Sequence, residues 1–197
     1  MNMLAAVGQA AEEKARLVEL VYEDPAHAAE ESRGETLCIV GKGVCFDTGG
    51  LNLKPTGFIE DMHMDMGGAA AALGAARAVG LAAKAGLRPV QPRFTKIAFV
   101  LALAENAIGS DAVKPNAILK SYKGLTVQNG NTDAEGRLCL ADAMTWTQCA
   151  GLNAGGDGDG AVPAVGGSMG GKPDVMVDVA TLTGACVVAL GEHAAGK

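Results

Sequence analysis

Aromatic side chains are scarce: one Trp, two Tyr and four Phe among 197 residues. A core made from this chain must rely on small and aliphatic side chains, and the 28 glycines point the same way. Nowhere do about 18 apolar residues follow one another without interruption, so no membrane span is expected. The first 30 residues lack a basic start, an apolar middle and a cleavage site, so no secretory leader is expected. Positive charge is also in short supply, with 16 Lys and Arg against 22 Asp and Glu for a net charge of −6. The basic residues are scattered, which argues against a nucleic-acid surface. Five cysteines (Cys38, Cys45, Cys139, Cys149 and Cys186) are an odd number without a C-x-x-C pair. Reduced thiols and a cytoplasmic location are expected, with Cys38 and Cys45, on apolar segments, behaving as small hydrophobes.

What is present suits a globular domain: 49% hydrophobic and 19% charged residues, with enough chain to bury one core. Leu17 to Tyr22 is strand-like, and Thr36 to Val40 is a nearly continuous apolar run, as in a strand covered on both faces. Gly41 to Gly57, with five glycines, reads as a structured loop. Gly67 to Ala85 is Ala-rich and predicts a buried helix, closed by Gly86 and Pro89. Lys96 to Ala104 predicts another strand, residues 129–136 a polar loop, and Leu138 to Cys149 a helix. Residues 151–171 lack periodicity and read as a flexible insertion. Val175 to Val179 predicts a further strand, followed by the turn-like Thr181-Leu182-Thr183-Gly184. The expectation is an α/β fold with a mixed, largely parallel central sheet flanked by helices. Chemistry in such folds gathers beyond the strand C-termini.

Two segments concentrate ionisable groups. The first, Val40-Gly41-Lys42-Gly43-Val44-Cys45-Phe46-Asp47-Thr48-Gly49-Gly50-Leu51-Asn52-Leu53-Lys54-Pro55, extends to Met62-His63-Met64-Asp65-Met66-Gly67-Gly68. The second is Asn131-Thr132-Asp133-Ala134-Glu135-Gly136-Arg137-Leu138. If the loops meet, Asp47, Asp65, Asp133 and Glu135 cannot all stay ionised without countercharge. Two divalent cations would supply it, with bridging carboxylates holding the ions about 3.5–4 Å apart. Taken singly, each Asp or Lys is more ordinarily a solvated loop residue. His63 reads as a neighbour of the site and not as a ligand. Met62, Met64 and Met66 fit core filling, and Met62 also fits the wall of an apolar pocket.

A nucleotide-binding reading of Gly166-Gly167-Ser168-Met169-Gly170-Gly171-Lys172 fails because Pro173 stands where a hydroxyl is required. Asp157-Gly158-Asp159-Gly160 lacks the remaining ligand positions of a calcium loop.

The Val-Gly-Lys-Gly-Val-Cys-Phe-Asp-Thr-Gly-Gly run, Met-x-x-Asp-Met-Gly-Gly-Ala-Ala and Asn-Thr-Asp-Ala-Glu-Gly-Arg-Leu resemble the leucyl aminopeptidase (cytosol aminopeptidase) family of two-metal peptidases. Ala180-Thr181-Leu182-Thr183-Gly184-Ala185 is similar to a fourth family motif, and the order is right. The resemblance implies that Lys42, Asp47, Asp65, Asp133 and Glu135 are metal ligands for two ions, Zn²⁺ or Mn²⁺. Asp47 and Glu135 would bridge, and Lys42 would ligate as a neutral amine of strongly depressed pKa. Lys54 and Arg137 correspond to the family's catalytic lysine and arginine, the arginine holding a bicarbonate. Met62, Asn131, Thr181, Leu182 and Gly184 match substrate-binding positions.

The implied activity is hydrolysis of the N-terminal residue, Leu-like preferred, from peptides by a two-metal-activated water. The implied partners are peptide substrates and, for the full-length protein, five further copies in a homohexamer. Residues 1–197 are expected to form a catalytic domain truncated at both ends. The alternative is an inactive fragment or a non-catalytic subunit of such an enzyme.

Overall fold

Strand pairing organises the chain around one mixed sheet. The computed structural model describes residues 1–25, 34–89, 93–149, 164–165, 172–193 and 195–196. In chain order these form α1 (Asn2–Val7), β1 (Arg16–Glu23), β2 (Glu35–Asp47), a 3₁₀ turn (Met62–Met64), α2 (Gly67–Lys84) and β3 (Phe94–Asn106). There follow β4 (Ala117–Lys120), β5 (Thr126–Asn129), α3 (Glu135–Cys149), β6 (Ala164–Val165), β7 (Val175–Val179) and α4 (Ala185–Leu190). The sheet runs β6-β1-β3-β2-β7, and β4 and β5 form a separate antiparallel hairpin. β2 runs parallel to both β3 and β7, while β1 is antiparallel to β3 and parallel to β6. The sheet is therefore mixed and its centre is parallel, as expected.

Successive side chains on a strand point to opposite faces, so β2 and β3 each serve two layers. Cys38, Val40 and Val44 of β2 join Ala98, Val100, Ala102 and Ala104 of β3 in the main core. α1 contributes Met3, Leu4 and Val7 to this core, and α3 contributes Leu138, Cys139, Leu140 and Ala143. On the other face Leu101 meets Ala69 and Ala72 of α2, with Ile39, Leu103 and Val18 around them. α2 approaches closely because glycines line the crossing. A Cβ at Gly41 would lie 2.6 Å from the Ala69 Cα, and one at Gly68 would run into the Val179 carbonyl.

Three expectations need correction. Gly41 to Asp47 is not loop but the second half of β2, since its backbone keeps pairing with β3 as far as Asn106. The glycines at 41 and 43 are there for clearance. α2 is not a buried helix: only Gly68, Ala69 and Ala72 are buried, and Leu73 and Leu81 are 50% and 57% exposed. It meets the sheet through one narrow stripe of small residues. By length and composition alone Met62–Lys84 would pass for a membrane span. Cys45, expected to behave as a small hydrophobe, is exposed, whereas Cys38 is fully buried. The proposed insertion at 151–171 lies outside the described residues except for Ala164–Val165.

Candidate metal centre

Lys42 belongs to the core-facing row of β2, between Val40 and Val44, and is 1% exposed. A lysine in that row needs carboxylates around it, because an unpaired buried ammonium is prohibitively costly. Its ammonium lies 2.6 Å from Asp65 Oδ1 and 2.7 Å from Glu135 Oε1, and it donates to the Thr181 carbonyl at 3.2 Å. Glu135 opens α3 on the buried stripe that continues through Leu138, Cys139 and Asp142, the spacing of one helix face. Gly136 lets the helix pass directly over the lysine, since a Cβ there would lie 2.6 Å from Lys42 Cε and 2.8 Å from its Nζ.

Asp47 reaches the same face through a bulge. Val44 pairs with Ala104 and Asp47 with Asn106, so β2 spends one residue more than β3 over this interval. The extra residue reverses the alternation and turns Asp47 to the side of Lys42, a common use of bulges beside active sites. The chain then turns sharply at Gly49 and Gly50, with φ of 86° and 67°, values that favour glycine. Lys54 returns over the site, 3.0 Å from Asp47 Oδ2 and paired also with Asp133. Asp65 follows the 3₁₀ turn, and its Oδ1 accepts from the Thr181 hydroxyl at 2.8 Å.

The structure thus brings together Lys42, Asp47, Lys54, Asp65, Asp133 and Glu135. Oxygens of Asp47, Asp65 and Glu135 lie within 4.8 Å of one another, and all three residues are buried. Four carboxylates face two ammonium groups, an excess of two negative charges in a largely dry cluster. Burial pushes Glu135 up to about 7, against Lys42 and with Asp47 adding to the rise. Burial likewise raises Asp65, opposed by Lys42 and Thr181. Burial alone would lower Lys42, but Glu135 and Asp65 outweigh it and hold the ammonium above the ordinary lysine range. Lys42 therefore sits in this arrangement as a cation, not as the neutral amine that metal ligation requires. Lys54 is similar: burial pulls it down, and Asp133 and Asp47 pull it further up.

A divalent pair fits these donors. The second oxygen of Asp65 is buried without a hydrogen-bond partner, and the remaining oxygens converge on space now filled by two lysine ammonium groups. A set of carboxylate oxygens of this kind suits divalent cations.

The other sequence-predicted residues fall around this cluster less uniformly. Arg137 is exposed on the first turn of α3. Asn131 accepts the Asp133 amide through its side chain at 2.9 Å. Met62 is half-buried in the 3₁₀ turn, and its carbonyl accepts the Asp65 amide. Leu182 is 46% exposed, and Gly184 is the exposed N-cap of α4. Thr181, expected to bind substrate, accepts from Lys42 through its carbonyl and donates its hydroxyl to Asp65. Thr48, Asn106 and Thr132 were not singled out from the sequence, yet their hydrogen bonds join the two ligand loops. Asn106 carries one sequence signal, a polar residue ending an apolar strand at its C-terminus, where sites of α/β folds form.

The catalytic-domain model of the cytosol aminopeptidase family matches residues 1–197. A probable cytosol aminopeptidase of Thermosynechococcus vestitus is 39% identical over 196 residues, covering 100% of this chain and 33% of that protein. One from Prochlorococcus marinus strain MIT 9211 is 41% identical over 200 residues, covering 100% and 33%. Among solved structures, leucyl aminopeptidase from Leishmania major in complex with actinonin is 35% identical with a TM-score of 0.75, covering 96% of this chain and 31% of that one. The bottromycin maturation enzyme BotP in complex with Mn is 35% identical with a TM-score of 0.70, covering 96% and 34%. This chain spans about a third of the length of these relatives. With its full length matched and its carboxylates and lysines gathered at the ends of the central strands, the chain belongs to the cytosol aminopeptidase family.

Proposed function

We propose that residues 1–197 form the catalytic domain of a metalloaminopeptidase that removes the N-terminal residue, Leu-like preferred, from peptides. The observation that carries this reading is the buried convergence of Asp47, Asp65 and Glu135 around Lys42, closed by Lys54 and Asp133. Asp47, Asp133 and Glu135 would hold one ion, and Lys42, Asp47, Asp65 and Glu135 the other. When bound, two divalent ions would acidify a water and polarise the scissile carbonyl.

Lys42 would hold an ion only as a neutral amine, a form that two bound dications would favour, its proton passing to solvent. Lys54, beside Asp47 and Asp133, would stabilise a developing oxyanion as an ammonium, a role worth a few kcal/mol in such sites. Arg137, exposed on the first turn of α3, is available to hold a bicarbonate as the general base. Met62, Thr181 and Gly184 would border the pocket for the first side chain, and Asn131 and Leu182 would also bind substrate. One methylene there changes binding by about 1–3 kcal/mol, so selectivity is broad. The full-length protein would act in the cytoplasm as a homohexamer, with residues 151–171 an insertion.

The test is turnover of leucine amide with added Mn²⁺ or Zn²⁺ by the full-length protein and by Lys54→Ala and Asp133→Ala. Loss of turnover in both variants is expected, and near-normal turnover in either would contradict the assignment.

A further inference from the structure

We propose that Asn106 is a positioning residue of the metal centre, its carboxamide giving one N–H to each ligand loop and so fixing the orientation in which the Asp47 carboxylate faces the cations. This rests on the metal-centre reading above and concerns a residue that supplies no ligand.

The bulge in β2 places Asp47 directly opposite Asn106, the last residue of β3. Asn106 Nδ2 donates to Asp47 Oδ1 at 2.8 Å and to the Thr132 carbonyl at 3.1 Å. Asp47 Oδ1 also accepts the Gly49 amide at 2.9 Å, so two neutral donors occupy one oxygen. Oδ2 is left to face Lys54 and the cluster. Rotation of a carboxylate about its terminal bond is otherwise soft, and only such donors select one orientation.

The amide hydrogen bonding also reaches the second loop. Thr132 immediately precedes Asp133, and its hydroxyl donates to the Gly49 carbonyl at 2.7 Å. Asn52 closes the same contact from the other side, its amide donating to Thr132 Oγ1 and its Oδ1 accepting the Thr132 amide, both at 2.8 Å. The backbone carbonyl of Asn106 accepts the Thr48 amide at 3.1 Å and the Thr48 hydroxyl at 2.6 Å. Asn106, 5% exposed, is thus the point at which strand β3 and both ligand loops are tied together.

The chemistry narrows the choice of residue. Two N–H donors on one short, uncharged side chain are supplied by asparagine; serine and threonine offer one donor, and aspartate when ionised offers none. A cationic donor would satisfy Asp47 but would repel the ions the site is built to hold. Groups that orient ligands in this way contribute about 10- to 100-fold to metal affinity.

The experiment is a calorimetric titration of the metal-free full-length protein with Mn²⁺, well below its melting temperature. It compares wild type with Asn106→Leu, Asn106→Ser and Leu17→Ala, the last removing a fully buried side chain of β1, a strand separated from β2 by β3. Both Asn106 variants should bind Mn²⁺ about 10- to 100-fold more weakly. Leu17→Ala should melt lower yet keep wild-type affinity. If Asn106→Leu does not fold, Asn106→Ser decides. Wild-type affinity in a folded Asn106 variant, or an equal loss in Leu17→Ala, would overturn the positioning role alone. A wild-type protein that takes up no Mn²⁺ would overturn the metal-centre reading and this role with it.

Discussion

Replacing Gly136 by alanine adds one methyl group where α3 passes closest to Lys42. The new carbon would stand 2.6 Å from Lys42 Cε, 2.8 Å from Nζ and 3.0 Å from Cδ. A lysine on the surface would swing aside at little cost. Lys42 has no such freedom, because its side chain is 2% exposed and its ammonium is shared between Asp65 and Glu135. Overpacking of this kind costs about 1–3 kcal/mol. Against it stands a gain of about 1 kcal/mol for alanine over glycine within a helix. The net is a loss of up to about 2 kcal/mol, together with displacement of a residue proposed to bind metal. Gly74 in α2 offers the control, since a Cβ there meets nothing within 4 Å and only the helix gain of about 1 kcal/mol remains. Thermal denaturation of the metal-free proteins should place Gly136→Ala below Gly74→Ala by roughly 2–12 °C. Mn²⁺ uptake should weaken in Gly136→Ala alone. Equal melting temperatures with wild-type metal uptake would refute the close approach of α3 to the lysine.

Two predictions concern groups away from the ligands. Asp142, 0% exposed, accepts the amides of Met3 at 2.8 Å, Leu4 at 3.3 Å and Tyr122 at 2.7 Å, and so ties α1 and the start of the β4–β5 turn to α3. Asp142→Ala should cost about 3 kcal/mol or more in urea denaturation, and a loss below about 1 kcal/mol would contradict that account. Burial pushes the Cys38 thiol up to about 12, against a hydrogen bond with Thr147. In the unfolded chain the thiol ionises near 9, so above that pH the unfolded state loses a proton that the folded state keeps, and stability falls as pH rises towards 12. Cys38→Ala should therefore lose stability less steeply above pH 9, by up to about 1.4 kcal/mol per pH unit. Parallel pH dependences for the two proteins would contradict a buried neutral thiol.

Much of the site could be read from residue order. Lys42, Asp47, Asp65, Asp133 and Glu135 are charges set among glycines in a mostly apolar chain, and their spacing within motifs survives without coordinates. What placed them was harder to see. The glycines at 41 and 43 look like loop punctuation, but they mark close passage of α2 over a strand that continues to Asp47. Strict alternation would put Asp47 on the wrong face, and only the bulge, visible through its pairing with Asn106, corrects this. Gly136 likewise shows its purpose only when Lys42 lies beneath it. Thr181 matched a substrate-binding pattern, yet its hydrogen bonds go to Asp65 and Lys42. The elements that escaped notice altogether, α1, α4 and the β4–β5 hairpin, have only four or six residues per segment. Periodicity cannot assert itself over so short a length.

Two cations are proposed to sit among the four carboxylates, with Lys42 a neutral ligand of one of them. Crystals of the full-length protein grown with Mn²⁺ test it through an anomalous-difference map. Two peaks about 3.5–4 Å apart, flanked by Asp47 and Glu135 with Lys42 at one of them, are the predicted result. No peak among these residues, with Lys42 still paired to Asp65 and Glu135, would contradict it.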